Sequence, residues 1–356
     1  MELCWSATGH GRRSIKVGKQ MKQQAAVRVL VTTSSFAAQD KQSRHLLEEA
    51  GAVLSMNPFH QTLSEEQVRS LLRAHRPIGL VAGVEPLTSA VLNDAAGHLR
   101  VISRCGTGVD NLDLAAAAAL QIAVYNTPEA PVQAVAELTL GLMLSLARGI
   151  PALDQALRAG TWKKQAGVLL SEWTIGIIGL GRIGKRVACL AQAFGSTVLA
   201  HDLKPDRVWA REHAIRICSK EQLLKQADLV TLHTAAIPTG AAPLIGAGQF
   251  KQMKAGSLLI NTARGGLVDE LALVEALRSG HLAGAAIDAF AREPYAGPLQ
   301  GIDRVILTPH VGSAARAARV RMEREAAENL LIGLRRCGVL PRRIARTKNR
   351  RAAGSQ

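Results

Sequence analysis

Three polar residues in the second half of the chain share one kind of setting. Arg264 lies in Asn261-Thr-Ala-Arg-Gly-Gly, Glu293 in Asp288-Ala-Phe-Ala-Arg-Glu-Pro, and His310 in Thr308-Pro-His-Val-Gly-Ser. Each follows a short apolar run that reads as a strand. Together they suit removal of hydrogen from a hydroxyl-bearing carbon beside a carboxylate. The His310 imidazole can take the hydroxyl proton and return it in the reverse direction. The Glu293 carboxylate, bonded to the other ring nitrogen, would fix the tautomer and favour imidazolium. Arg264 offers a planar donor fork to a carboxylate and its neighbouring oxygen, and would polarise a carbonyl during reduction. Singly, each has an ordinary structural explanation: a turn histidine, a capping arginine, a glutamate closing a loop. The set gains its meaning from a segment upstream.

That segment is Thr174–Asp202, TIGIIGLGRIGKRVACLAQAFGSTVLAHD. The apolar run Ile175–Ile178 reads as a buried strand leading into Gly179-Leu-Gly181-Arg-Ile-Gly184. An apolar-periodic stretch (Ile183, Val187, Leu190, Ala191, Phe194) then reads as a helix, and Thr197–Ala200 as a second strand. Asp202 follows, eighteen positions after the last glycine. Gly179 allows the tight turn, Gly181 lets backbone approach a pyrophosphate, and Gly184 lets helix and strand pack closely. The free N–H groups near Arg182 and Ile183 and the positive end of the helix dipole suit phosphate. Asp202 suits the ribose hydroxyls and repels a 2′-phosphate, so the pattern predicts NAD rather than NADP.

The net charge of +16 would suggest a nucleic-acid or membrane-surface partner if it were spread over a folded body. It is not: residues 1–26 carry +4 and residues 335–356 carry +8. Both tails read as solvated, disordered extensions, and contact with nucleic acid is expected only through them. Residues 1–26 lack the apolar core of a signal peptide, and Met21 offers a start just before the first strand. Five scattered cysteines (Cys4, Cys105, Cys189, Cys218, Cys337) form no metal or disulfide pattern and suit a reducing, cytoplasmic setting. No stretch has the apolar length of a membrane span.

Short apolar runs alternate with helix-like segments along the chain. Strands are expected at Val27–Val31, Ile78–Ala82, Val101–Ser103 and Ile122–Tyr125, with helices at Asp40–Ala50, Ser64–Ala74, Thr88–Ala95 and Asp113–Leu120. Ser64 with Gln67 and Ser219 with Gln222 fit capping boxes, and Asp113 fits an N-cap. A long helix is expected over Val132–Arg148. Further strands are expected at Asp228–Leu232, Leu258–Ile260, Gly284–Ile287 and Val305–Leu307, and a last helix over about Ala314–Leu334. Such alternation predicts an α/β protein with two doubly wound parallel sheets and a site in the cleft between them, outside the strands' carboxyl ends. The expected division is a substrate-binding unit of residues 27–125 and 309–337 around a cofactor-binding unit of residues 126–308. Residues 1–26 and 338–356 are the tails.

Arg264 in NTARGGLVDE, Glu293 in AREP and His310 in LTPHVGS together resemble the catalytic triad of the D-isomer-specific 2-hydroxyacid dehydrogenases. The blocks SRCGTGVDNLD (103–113), NTPEAP followed by VAELTLGLMLSLAR, and GIIGLGRIGKRVA extend the resemblance over residues 27–337. Within the family, these blocks are most similar to 3-phosphoglycerate dehydrogenases that lack a C-terminal regulatory domain. The resemblance implies that Gly179, Gly181, Arg182, Ile183 and Gly184 hold the pyrophosphate of NAD and Asp202 its ribose. It implies that His233 and Thr234 line the cofactor pocket, that Thr262 and Ala263 lie by the nicotinamide ribose, and that Asp288 binds the carboxamide. Gly83 and Val84 would offer backbone N–H groups to the substrate carboxylate, and Arg104 would meet the far end of an anionic substrate. The implied partners are a small 2-hydroxy or 2-oxo acid and further copies of the chain, as a dimer or tetramer meeting near Val132–Arg148.

The expected reaction is therefore NAD-dependent oxidation of 3-phosphoglycerate to 3-phosphohydroxypyruvate, with no metal. Reduction of glyoxylate or hydroxypyruvate is the nearest rival, because Ala82 stands where some phosphoglycerate enzymes carry an arginine. A reading of another class, an NAD(H)-sensing binding protein or co-repressor acting through its tails, is opposed by retention of all three reactive side chains.

Overall fold

The computed structural model describes residues 26–162, 164–238 and 240–341. The basic extension, Met21 and Cys4 lie outside the described residues, as does the tail beyond Pro341.

The first unit is built from β1 (Val27–Val31), α1 (Gln42–Glu49), β2 (Ala52–Met56), α2 (Glu65–His75) and β3 (Gly79–Ala82), continuing through α3 (Ser89–Asp94), β4 (Val101–Arg104), α4 (Leu114–Ala119) and β5 (Ala123–Asn126). Its five strands are all parallel, in the order β2-β1-β3-β4-β5. The chain then runs through α5 (Val132–Arg148) and α6 (Ile150–Arg158) into β6 (Thr174–Ile178), α7 (Arg182–Ala193), β7 (Thr197–His201), α8 (Arg207–Glu212), β8 (Arg216–Ile217), α9 (Lys220–Gln226) and β9 (Leu229–Leu232). Next come α10 (Ala247–Gln252), β10 (Ser257–Asn261), α11 (Glu270–Arg278), β11 (Leu282–Ile287), β12 (Val305–Leu307) and α12 (Arg316–Arg336). The second sheet has seven parallel strands ordered β12-β11-β10-β9-β6-β7-β8. Two doubly wound parallel sheets are thus present, as the alternating pattern predicts.

Helices cover both faces of such sheets, so inner strands become apolar on both sides. Every residue of β3, β9 and β10 is buried. The helix starts follow their local chemistry. Ser64 accepts from the Gln67 N–H at 3.3 Å while Gln67 accepts from the Ser64 N–H at 2.9 Å, and Ser219 and Gln222 form the same reciprocal pair. Asp113 accepts from the Ala116 N–H at 2.9 Å.

Elements absent from the sequence reading are short or weakly apolar. The edge strand β2 is mostly half-exposed, so its apolar alternation is faint. Strand β8 has two residues. Helix α6 follows Gly149, which takes φ +62° and turns the chain, and none of its residues is buried. Helices α8, α10 and α11 also emerge between the expected strands.

Helix α12 leaves the seven-stranded sheet and packs across β3, β4 and β5 and against α1. Its Ala326, Ala327, Leu330 and Leu334 enter one core with Val29, Val81 and Val101. Leu330 is fully buried over Gly79, where an added Cβ would meet its Cδ1 at 3.1 Å. On the same helix the buried Glu323 accepts from the Ala37 N–H at 2.9 Å, and burial raises its pKa. Among the described residues no single helix is long and apolar enough to cross a membrane.

Leu330→Ala should therefore cost about 2–5 kcal/mol by opening a cavity under α12. Urea unfolding monitors this, and an unchanged midpoint would show that α12 does not complete this core.

Candidate active site

In an open parallel sheet the crevice for a ligand lies outside the strands' carboxyl ends. Asn261 ends β10, Ile287 ends β11 and Leu307 ends β12, and these strands are neighbours. Arg264, Glu293 and His310 follow them, so three adjacent strands deliver the three groups to one sheet edge. The glycine loop after β6, Asp202 after β7 and His233 after β9 lie along the same edge.

The His310 ring is held through Nδ1, which lies 2.9 Å from each Glu293 oxygen. An Nδ1–H donor to the carboxylate leaves Nε2 as the acceptor of a neutral ring. Glu293 is itself placed by the Phe290 N–H, which donates to its Oε1 at 3.0 Å. His310 has φ +51°, a left-handed conformation that costs free energy in a residue with a Cβ. Asp288 stabilises the loop that imposes it. Its fully buried carboxylate accepts from the Thr308 hydroxyl at 2.6 Å and from the Val311 and Gly312 N–H groups at 2.8 and 2.9 Å. Asp288, expected at the carboxamide, thus lies beneath the His310 loop, where three donors occupy its carboxylate and one acceptor position remains.

Arg264 is fixed from both sides of the cleft. The buried Asn261 accepts from the Ala263 N–H and donates to the Arg264 carbonyl, forming a tight turn after β10. Gly265 abuts Phe290 and Ala291 so closely that a Cβ would lie 1.8 Å from the Phe290 carbonyl carbon, which brings the Arg264 and Glu293 loops together. The Arg264 guanidinium donates from Nη1 to the Ala263 carbonyl at 2.8 Å and from Nε to Asp110 Oδ2 at 2.5 Å. Asp110 belongs to the loop after β4, on the other sheet, and the sequence reading assigns it no role.

The glycines of the loop after β6 divide by cause. Gly179 has φ +97°, and a Cβ there would lie 2.6 Å from the His233 carbonyl. At Gly184 a Cβ would lie 2.0 Å from the Gly179 oxygen. Both are required by the protein's own packing. A Cβ on Gly181 would meet no protein atom within 4 Å, so the protein's own packing does not require glycine there. Arg182 opens α7 and its side chain reaches Glu129, just before α5. Ile183 packs into the core beneath the helix. Asp202 accepts from the Leu180 N–H at 2.7 Å and the Lys204 N–H at 2.8 Å, so it braces the glycine loop with two of its acceptor positions and retains two.

His233 meets the Thr231 hydroxyl through Nε2 at 3.0 Å, its Nδ1 has no partner, and burial pushes its pKa down to about 3, so the ring is neutral. Thr234 follows it into the loop after β9, its backbone nitrogen 2.8 Å from where a Gly179 Cβ would sit. Thr262 is buried and turned to α5. Thr139 donates its hydroxyl hydrogen to the Val135 carbonyl, so at the 2.9 Å contact Thr262 donates to Thr139.

On the facing sheet, the loop after β3 departs from expectation. The Gly83 N–H donates to Glu85 Oε1 at 2.8 Å, and this buried carboxylate also takes the Thr32 hydroxyl. Gly83 is therefore not a free donor here, while Val84 stands exposed at the loop's tip. A Cβ on Gly106 would collide with the Arg104 guanidinium, whose Nη1 donates to its neighbour Cys105's carbonyl. Its Nε is buried with no partner, and burial lowers its pKa. The adjacent Cys105 thiol is pushed up to about 11 by burial, which makes it an inert core group. Among the described residues no cluster of His, Cys, Asp and Glu could hold a metal ion.

Comparison with known proteins follows this geometry. A family profile described as D-isomer specific 2-hydroxyacid dehydrogenase, NAD binding domain, matches residues 140–312. D-3-phosphoglycerate dehydrogenase from Archaeoglobus fulgidus is 37% identical over 256 residues, covering 71% of this chain and 48% of that protein. The chain spans about half the length of the curated relatives it matches. Among solved structures, TT0316 protein from Thermus thermophilus is 37% identical with a TM-score of 0.77, covering 86% of this chain and 96% of the other. A glyoxylate reductase from Paecilomyes thermophila is 28% identical with a TM-score of 0.78, covering 89% and 97%.

Removing the Asp288 acceptor should cost about 1–3 kcal/mol for each buried donor left unpaired. Urea midpoints should fall in the order wild type, Asp288→Asn, Asp288→Ala, because asparagine keeps one acceptor oxygen. A flat or reversed order would contradict the role of this carboxylate in holding the His310 loop.

Proposed function

The chain belongs to the D-isomer-specific 2-hydroxyacid dehydrogenase family, and from that premise we propose that it transfers a hydride between a D-2-hydroxy acid and NAD, with 3-phosphoglycerate and 3-phosphohydroxypyruvate as the pair. The observation that carries this reading is the His310–Glu293 pair, with Nδ1 held at 2.9 Å by both carboxylate oxygens and Nε2 left to act. The loops after β6 and β7 fit the dinucleotide. Gly181 offers uncovered backbone, the α7 N–H groups suit pyrophosphate, and Asp202 retains acceptor positions for ribose hydroxyls. When bound, the nicotinamide accepts or returns the hydride.

The chain's own residues supply the rest. In oxidation, His310 Nε2 takes the hydroxyl proton, and Glu293 stabilises the resulting imidazolium through Nδ1–H. In reduction the imidazolium gives the proton back to the new alkoxide oxygen. Arg264 retains donors beyond those given to Asp110 and Ala263, and these would grip the carboxylate and the adjoining oxygen. Val84, exposed at the tip of its loop, would offer its backbone N–H to the substrate carboxylate. Arg104, whose Nη1 donates to the Cys105 carbonyl, is the cation that would meet the far end of a phosphorylated substrate. The division into units of residues 27–125 with 309–337, and 126–308, suits this cleft.

A second reading, reduction of glyoxylate or hydroxypyruvate, draws on Ala82, which is fully buried and brings no cation, and on the Glu85 carboxylate beside it. A third, cofactor sensing without turnover, is disfavoured by the intact proton-transfer pair. Free Cys105, Cys189, Cys218 and Cys337 suit a cytoplasmic setting.

Self-association is supported by an apolar surface on and after α6, where Ile150, Leu157, Trp162 and Leu169 are each more than half exposed. Leu157→Glu should shift the protein to smaller species in sedimentation, whereas an unchanged distribution would place the contact elsewhere.

His310→Ala should lower turnover about 10²–10⁴-fold while NADH still binds with wild-type affinity, as read by fluorescence titration. Steady-state rates with 3-phosphohydroxypyruvate, hydroxypyruvate and glyoxylate test the substrate. Turnover of glyoxylate without turnover of phosphohydroxypyruvate would reject the phosphorylated pair.

A further inference from the structure

The loop Gly106–Asn111, after β4, touches both groups expected to hold the substrate, yet its Asp110 has no assigned part. Asp110 Oδ2 lies 2.5 Å from Arg264 Nε, across the cleft between the two sheets. Two residues earlier, Gly108 lies so close to the same guanidinium that a Cβ would sit 1.6 Å from Nη2. The next residue, Asn111, donates to the Glu85 carbonyl at 2.6 Å and to the Gly83 carbonyl at 3.3 Å. One short loop therefore seats the Arg264 fork and braces the loop bearing Val84.

We propose that Asp110 is the positioning residue for Arg264, aiming its fork so that the substrate's carboxylate is gripped only when the two sheets face each other. This rests on the reading of Arg264 as the carboxylate-binding group. A guanidinium has five N–H donors in a rigid plane. Asp110 takes the single Nε–H and Ala263 takes one Nη1–H, which leaves one donor on Nη1 and two on Nη2. With Nε tied, rotation about the bonds leading to the guanidinium is stopped and the remaining donors keep one direction. Gly108 admits that orientation because it has no side chain to displace Nη2. Asp110 and Arg264 come from different sheets, so the aim depends on closure as well as on the turn after β10.

Asp110 has a second, opposing effect. Its negative charge offsets that of Arg264, which by itself would weaken binding of an anionic substrate. The two effects predict opposite signs when the charge is removed. If orientation governs, Asp110→Asn raises the KM for the 2-oxoacid substrate; if charge governs, it lowers it.

The test is a double-mutant cycle of Asp110→Asn and Arg264→Lys, read by steady-state kinetics with NADH, an NADH fluorescence titration and a urea midpoint. Asp110 is 44% exposed, so the asparagine variant should fold. Asp110→Asn is expected to raise KM about tenfold, with the NADH Kd and the midpoint unchanged. Lysine has no Nε–H of this geometry, so in the Arg264→Lys background Asp110→Asn should change KM less than twofold. An unchanged or lowered KM in the Asp110→Asn single variant, or additive effects in the pair, overturns the proposal. So does a KM rise matched by weaker NADH binding and a lower midpoint, which a purely structural role would give. If Arg264→Lys leaves KM and kcat at wild-type values, the reading of Arg264 fails first and the proposal falls with it.

Discussion

A buried charge must be satisfied where it lies, and in this protein that requirement falls on Asp288. Its carboxylate is fully buried, and no ion pair to it forms among the described residues. Three donors take that place: one hydroxyl and two consecutive backbone N–H groups from the segment Thr308–Gly312. Closing the loop around this point forces His310 into left-handed backbone, a conformation offset by the charge-assisted hydrogen bonds it permits. The ring is thereby turned to Glu293. One unexposed carboxylate thus sets the geometry of a pair that sits at the surface of the cleft.

The rest of the site repeats this use of close approach. The loops after β10 and β11 touch because Gly265 has no side chain, and the turn after β6 fits because Gly179 and Gly184 have none. These contacts fix positions to within fractions of an ångström, since no rotamer change can relieve a backbone collision. Gly181 is the contrasting case. No protein atom lies within 4 Å of a Cβ built there, so packing does not require glycine at that position.

Much of the architecture was readable because local chemistry and tertiary packing agree. The bounds of β1, α5 and β12 match the expected segments, and both capping boxes form with both hydrogen bonds. The edge strand β2 was not readable, because a half-exposed strand carries little apolar periodicity. In the site, residue types and strand-end positions pointed to Arg264, Glu293 and His310. What pattern did not reveal were the side chains that hold those three. Asp110 acts across a gap of 154 positions, and Glu85 fills a nest that its neighbour Gly83 was expected to offer. Such contacts depend on how two sheets meet, and no local spacing encodes that. Asp288 shows a further limit: its type and strand-end position did not reveal that its carboxylate also holds the loop bearing His310.

Helix α12 belongs by packing to the first sheet, although it follows every strand of the second. During synthesis, β1 to β5 leave the ribosome first but lack the apolar cover that Leu330 and its neighbours supply. The segment from α5 to β12 emerges later and carries all seven strands of its own sheet. The order of completion is therefore the reverse of the order of emergence. The first sheet waits with the face beneath α12 only partly covered, by α1, a period in which a chaperone would find apolar surface to hold, until α12 arrives.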